Sequence, residues 1–320
     1  MPLSVELTPL PNNTFIDLDG LRDAMVDALT DFSLRRAVNP GRHVQPIDRG
    51  ELGFMVAETR TRGWLGLKIA SVFPENASIG LDRHQGIVVL LNPYTGAVKH
   101  ALDASLVTAL RTAAVSAAVT NVLARTEAKH LGLIGCGRQA EAHVDAIVRI
   151  RAIQQVSVYG RNSKRSQELA RRIMSRHKIP AQCLMTAEQV AQCSDILVTA
   201  TSSDVPLINE SHFKPGAHIN AIGACRPHLH EIQLTPKTHA RIFVDSISEC
   251  KRESIELDGV KIVGEVGALF AGHLLGRTSA NQVTLFKSVG LAVEDVYAAE
   301  FLTHNLNGTK KAAGRCITEN

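Results

Sequence analysis

Aromatic side chains are scarce in this chain: one Trp, three Tyr and nine Phe, 4% of 320 residues. Charge of one sign is scarce too, since 35 Lys and Arg face 31 Asp and Glu and leave a formal net charge of +4. A surface that tracks a phosphate backbone needs surplus cations, and one that stacks bases needs aromatics, so nucleic acid is not an expected partner. No uninterrupted apolar run reaches the roughly 18 residues of a bilayer-spanning helix. The opening MPLSVELTPLPNN lacks the basic-then-apolar order of a secretory leader. No membrane association is expected. Six cysteines (Cys136, Cys183, Cys193, Cys225, Cys250 and Cys316) are scattered with no C-x-x-C pair, so neither a zinc cage nor a disulfide framework is readable. A reduced, cytoplasmic protein without a metal site is the simpler expectation. What is present, 45% hydrophobic and 21% charged residues, is the balance of an ordinary globular chain, and it excludes disorder and fibre.

The length suggests two domains, and the chain reads differently in its two parts. Residues 1 to about 125 begin with a helix from Asp19 to about Phe32. They continue in short apolar runs, VAETRTRGWLGLKIASVF, IVVLLNPYTG and AVKHALD, with hairpin signals between them, as expected of antiparallel strands in an α+β unit. A long helix follows from Ala104 to Ala124, with Asp103 or Ser105 available as its cap. From 126 to 290, strand-like HLGLIG, QVSVYG, DILVTA, HINAIG and RIFVDS alternate with helical RQAEAHVDAIVRI, SKRSQELARRIMSRH and AEQVAQC. That alternation indicates βαβ units in a doubly wound parallel sheet. The last apolar pattern, FKSVGLAVEDVYAAEFL, reads as a helix that packs back on the first domain.

LGLIGCGRQAEAHVDAI places Gly135, Gly137 and Ala140 in G-x-G-x-x-A spacing, directly after a strand and opening a helix. This is the register a dinucleotide site needs. One glycine makes the tight turn, the next lets backbone N–H groups approach a pyrophosphate, and a small third residue lets helix pack on strand. About 20 residues further on, where NAD-binding folds carry an acid for the ribose hydroxyls, the second strand ends in Gly160, Arg161 and Asn162. Arg161 can hold a 2′-phosphate there, with Lys164 and Arg165 adding positive field, so NADPH is favoured over NADH. The alternative is that Arg161 to Lys178 is a solvated basic helix face.

Three cations stand out. Arg111 is the only charged residue between Ala104 and Ala124, and a buried guanidinium requires an anion, either a substrate carboxylate or an internal Asp or Glu. Lys68 stands alone in WLGLKIASVF on a face shared with Trp64, Gly66, Ala70 and Val72, unless it guards an edge strand. Arg42, in NPGRHVQP, lies on a loop.

Six segments in order, GRHVQP, GLKIASVFPEN, ALRTAAVSA, GLIGCGRQAEAH, KPGAHINAIGA and FKSVGLAVED, resemble the ornithine cyclodeaminase/mu-crystallin family over essentially the whole chain. The resemblance implies a Rossmann domain at 126–290 that binds NAD(P)(H). It further implies a substrate-binding and dimerisation domain at 1–125, completed by a C-terminal helix at 291–320, in a homodimer. It puts carboxylate-binding cations on Arg42, Lys68 and Arg111; of these, Lys68, as the candidate proton donor, and Arg111 are the expected catalytic pair. Pyrophosphate contacts fall on Gly135, Gly137, Arg138 and Gln139, and other cofactor contacts on Thr201, Ser202, Val289 and Gly290.

One departure separates the branches. Where ornithine cyclodeaminases and the archaeal alanine dehydrogenase carry an Asp after the strand matching HINAIG, this chain has Cys225 in the context GACRP. A thiol cannot bind an amine or act as a base as a carboxylate does. The expected activity is therefore that of the ketimine reductase branch: NADPH-dependent reduction of a cyclic imino acid, Δ1-pyrroline-2-carboxylate to L-proline, with the six-membered homologue giving pipecolate as a second substrate. The rivals are ornithine cyclodeaminase, with Glu231 or water in the Asp's place, and a non-catalytic holder of NADPH and a small ligand.

Overall fold

The computed structural model describes residues 16–315. The N-terminal stretch read for a leader, Cys316 and the last five residues of the expected C-terminal helix lie outside that range. In chain order the elements begin with α1 (Leu18–Ser33), β1 (Ala37–Val38), β2 (His43–Ile47), β3 (Gly50–Thr59), β4 (Trp64–Val72), β5 (His84–Leu91), β6 (Val98–Asp103) and α2 (Ala104–Leu123). There follow β7 (His130–Ile134), α3 (Arg138–Ile147), β8 (Gln155–Tyr159), α4 (Ser163–His177), β9 (Ala181–Cys183), α5 (Ala187–Cys193), β10 (Ile196–Thr199), β11 (Ile208–Asn209), β12 (His218–Ala221) and β13 (Ile232–Gln233). The chain closes with β14 (Arg241–Val244), α6 (Ile247–Glu253), β15 (Ile262–Glu265), α7 (Val266–Phe270), β16 (Thr284–Lys287) and α8 (Ala292–Arg315). Two compact units result, one running up to Arg111 and resuming at Leu291, the other Thr112–Gly290. The division falls inside α2, whereas the sequence pattern puts it at the end of that helix.

In the first unit β1, β3, β4, β5 and β6 form an antiparallel sheet, with β2 also paired to β3. Its turns follow local chemistry. Asn92 accepts hydrogen bonds from the backbone of Tyr94 and Thr95, closing the β5–β6 hairpin as an Asx-turn. Asp103 accepts from the Leu106 N–H at 2.7 Å and caps α2. Helix α8 lies against one face of this sheet, and Gly66 is what lets it approach: a Cβ there would stand 2.1 Å from Val296 Cγ2. Residues alternate across a strand, so Leu65, Leu67 and Ile69 of β4 point away from α8. Phe54 and Val56 of β3 and Val89 of β5 share that second, apolar face through the strand register.

The second unit holds an eight-stranded parallel sheet in the order β15-β14-β16-β12-β10-β7-β8-β9. The chain winds outward from β7 through β8 to β9 and then returns to β10 on the other side. The strand order therefore reverses between β7 and β10, the place where such sheets bind ligands. The expected fold class, a Rossmann-type doubly wound sheet plus an α+β unit, is the one observed. One element differs. FKSVGLAVEDVYAAEFL is not a single helix: Phe286 and Lys287 belong to β16, Gly290 turns the chain at φ +80°, and α8 starts only at Ala292. A left-handed residue cannot continue a right-handed helix, and apolar periodicity does not register it. Helix α2 is long and apolar enough to cross a membrane, but 72% of its most apolar stretch is buried within the protein.

Candidate active site

In the first unit the three cations are brought together. Lys68 Nζ donates to Asp295 Oδ1 at 3.0 Å and to Thr108 Oγ1 at 2.6 Å. Arg111 donates through Nε to the same Asp295 oxygen at 3.1 Å, and through Nη1 to Glu294 Oε2 at 2.5 Å. Arg42, on the loop before β2, is close enough to repel the Lys68 charge. Burial pulls the Lys68 ammonium below the ordinary lysine value; Asp295 opposes that shift, and Arg111 and Arg42 add to it. Burial alone would raise the Asp295 carboxyl, yet Lys68 and Arg111 together hold it below the usual range.

The two acids are the functional residues that the sequence reading misses. Of the two partners that reading leaves open for Arg111, a substrate carboxylate or an internal acid, the structure shows the internal one: Arg111 is ion-paired to Glu294 and Asp295. The formal charges of Arg42, Lys68, Arg111, Glu294 and Asp295 still sum to a positive value, which suits a substrate carboxylate. Both acids sit in the first turn of α8, where the helix dipole favours negative charge. A signal is there to be used, since Glu294 and Asp295 interrupt an apolar stretch just as Arg111 does in α2.

In the second unit the glycine loop has the form its spacing predicts. Gly135 takes φ +118°, and a Cβ there would lie 2.5 Å from the Ala200 carbonyl oxygen. Gly137 caps α3 with nothing within 4 Å of a Cβ position, so the space before the helix N-terminus is open. Arg138 and Gln139 begin that helix, and Ala140 is buried against the sheet. These residues fit a dinucleotide pyrophosphate on bare N–H groups. The end of β8 closes beside the loop, because a Cβ at Gly160 would meet Cys136 Sγ at 2.8 Å. Arg161 and Asn162 follow directly and are exposed, with the Asn162 side chain capping α4 through the Arg165 N–H. Behind the loop His143 is buried between the Gln139 carbonyl and Ser116 Oγ, and burial pushes it down to about 4.

Two more carboxylates act as staples. Glu231 accepts from Thr199 Oγ1, Thr201 N, Thr201 Oγ1, Gly223 N and Ala224 N. Asp245 Oδ2 accepts from Ser288 Oγ, Val289 N and Gly290 N. The segments of Thr201 and Ser202 and of Val289 and Gly290 are fixed in this way. Glu231 is therefore engaged by three backbone N–H groups and two threonine hydroxyls, which removes it as a substitute for an acid at Cys225. Cys225 itself is half-buried, against the apolar cluster that holds Ile219 and Val289. Among the described residues no group of three or more His, Cys, Asp or Glu gathers to hold a metal ion.

Comparison with known proteins agrees with this geometry. The family model described as ornithine cyclodeaminase/mu-crystallin matches residues 11–310. A Δ1-pyrroline-2-carboxylate reductase of Bacillus cereus is 33% identical over 287 residues, covering 86% of this chain and 88% of the relative. The structure of the Thermococcus litoralis Δ1-pyrroline-2-carboxylate reductase in complex with NADH and L-proline superposes with a TM-score of 0.87 at 28% identity, covering 92% of this chain and 95% of that one. An archaeal alanine dehydrogenase dimer with bound NAD gives 0.86 at 30% identity, covering 92% and 93%. With matches of this length and identity, the chain belongs to the ornithine cyclodeaminase/mu-crystallin family.

Proposed function

We propose that this protein is an NADPH-dependent ketimine reductase that converts Δ1-pyrroline-2-carboxylate to L-proline, with the six-membered homologue as a second substrate. The observation that carries the reading is the gathering of Arg42, Lys68 and Arg111 in one cluster, together with a thiol rather than a carboxylate at Cys225. A cyclic imino acid presents one carboxylate, and its imine carbon needs no base to prepare it for reduction. Arg42 and Arg111 bind and orient the carboxylate. Lys68 supplies the proton that the nitrogen must gain. A dihydronicotinamide, when bound, would supply the hydride. The reductase relatives in Bacillus cereus and Thermococcus litoralis support the assignment.

The preference for NADPH rests on Arg161 standing where an acid would otherwise take the ribose hydroxyls. A homodimer is proposed through the apolar face of the first sheet that carries Leu65, Leu67 and Ile69, since a contiguous apolar surface of this kind marks a protein contact; the dimeric archaeal relative supports it. A cytoplasmic location is proposed with it, and the five described cysteines, all free thiols, suit a reducing compartment.

Steady-state assays test the function. NADPH oxidation with Δ1-pyrroline-2-carboxylate should be fast, and ornithine with either oxidised cofactor should give no ammonia. Ammonia release from ornithine, without ketimine reduction, would replace this reading with cyclodeaminase activity.

A further inference from the structure

The ammonium of Lys68 carries three N–H bonds. Asp295 Oδ1 and Thr108 Oγ1 hold two of them. Fixing two bonds of a tetrahedral group fixes the direction of the third. Thr108 is held in its turn, because its hydroxyl donates to the Ala104 carbonyl at 2.5 Å. Asp295 is held by Arg111, and its side chain is 1% exposed. Lys68 is thus clamped between α2 and α8, on a strand whose Gly66 sets the approach of α8.

We propose that Asp295 is the positioning residue of the reduction, keeping Lys68 charged and aiming its remaining N–H at the substrate nitrogen. The inference rests on the ketimine reductase reading and deepens it. Lys68 gives a proton from Nζ to the imine nitrogen and becomes a neutral amine. The imine carbon gains the hydride from the reduced nicotinamide, and the C=N π pair stays on nitrogen as a lone pair. Lys68 then regains a proton from water.

The charged groups that act most strongly on Lys68 are Arg42 from the loop before β2, Arg111 from α2 and Asp295 from α8, while Glu294, also from α8, is engaged by Arg111. The strand neighbours of Lys68 in register, Met55 and Val88, carry no charge. Of the three strongest groups, Asp295 is thus the one that favours the ammonium. Without its charge, Lys68 loses its proton at lower pH.

The test is the pH profile of kcat/KM for Δ1-pyrroline-2-carboxylate with NADPH, in the unmutated protein and in Lys68→Met, Asp295→Asn and Asp295→Glu. Activity requires protonated Lys68, so it falls as pH rises through the value of that group. Asp295→Asn should move this alkaline limb down by about one pH unit or more. Asp295→Glu keeps the charge and displaces the clamp, so it should leave the limb in place and lower kcat about 10-fold or more. Lys68→Met should lower kcat about 100-fold or more and abolish the limb. If Asp295→Asn fails to fold, Asp295→Glu decides, and an unchanged kcat overturns the proposal. An unmoved limb in folded Asp295→Asn overturns it too, while full activity in Lys68→Met overturns the assignment of Lys68 as donor. Absence of ketimine turnover by the unmutated protein would instead overturn the functional reading on which the inference rests.

Discussion

Arg111→Met probes the most tightly built part of the site. The Arg111 side chain is 6% exposed and that of Glu294 is fully buried. Methionine matches the length of the arginine stem, so the change removes charge and hydrogen bonds with little loss of packing. What it leaves is the Glu294 carboxylate without this guanidinium in a dry setting. Breaking a buried pair by removing one partner costs about 3–5 kcal/mol. The Asp295 carboxylate keeps Lys68, so the loss concentrates on Glu294. Adding Glu294→Gln removes the buried charge and should recover all but about 1 kcal/mol. Urea denaturation of the parent, both single variants and the double variant gives this cycle directly, and ketimine reduction is measured on the same samples. The double variant should be stable and still inactive, because the substrate carboxylate has lost Arg111. Parental stability in Arg111→Met, or no recovery in the double variant, would refute the ion-pair argument. Recovered activity in the double variant would refute the role of Arg111 in binding substrate.

Arg161→Asp should lower the ratio of kcat/KM for NADPH over NADH by about 10-fold or more, one good charged contact being worth about 1.5–3 kcal/mol; an unchanged ratio would take Arg161 out of the cofactor site. Leu67→Glu should convert a dimer to monomers in sedimentation equilibrium, since a carboxylate in the centre of an apolar interface is not solvated; an intact dimer would put the interface elsewhere. His143 and His218 are buried and neutral, pushed by burial down to about 4 and about 3. The unfolded chain takes up their protons first as pH falls below about 6.5. Their contribution to stability is therefore whole above that value and is lost on acidification towards the folded values. Urea midpoints should fall over this range, and His143→Gln should make the fall shallower; an identical slope would show that other groups control it.

The parts of the fold that are legible in the sequence are those governed by local rules. Gly135 and Gly137 follow a strand and open a helix, and their spacing dictates the loop whatever the rest of the chain does. Asn92 and Asp103 name their turn and cap in the same way. The partners of Arg111 are not legible, because Glu294 and Asp295 lie more than 180 positions along the chain and no local pattern links them to α2. The same argument that marks Arg111, a charge in an apolar helix, applies to the α8 acids and would have paired them. Glu231 and Asp245 carry no periodic signal at all: each is a single acid whose role appears only when distant loops meet around it. The break before α8 is hidden for another reason, since apolar periodicity continues through Gly290 while the backbone turns.

If the protein moves a hydride onto the imine carbon of a cyclic imino acid, the hydrogen itself can be followed. Δ1-pyrroline-2-carboxylate is reduced with NADPH carrying deuterium at nicotinamide C4, on the transferring face, and the product is examined by mass spectrometry and proton NMR. It should be L-proline with one deuterium, located at Cα. Proline without deuterium at Cα, or no proline with cofactor left unoxidised, would contradict the account.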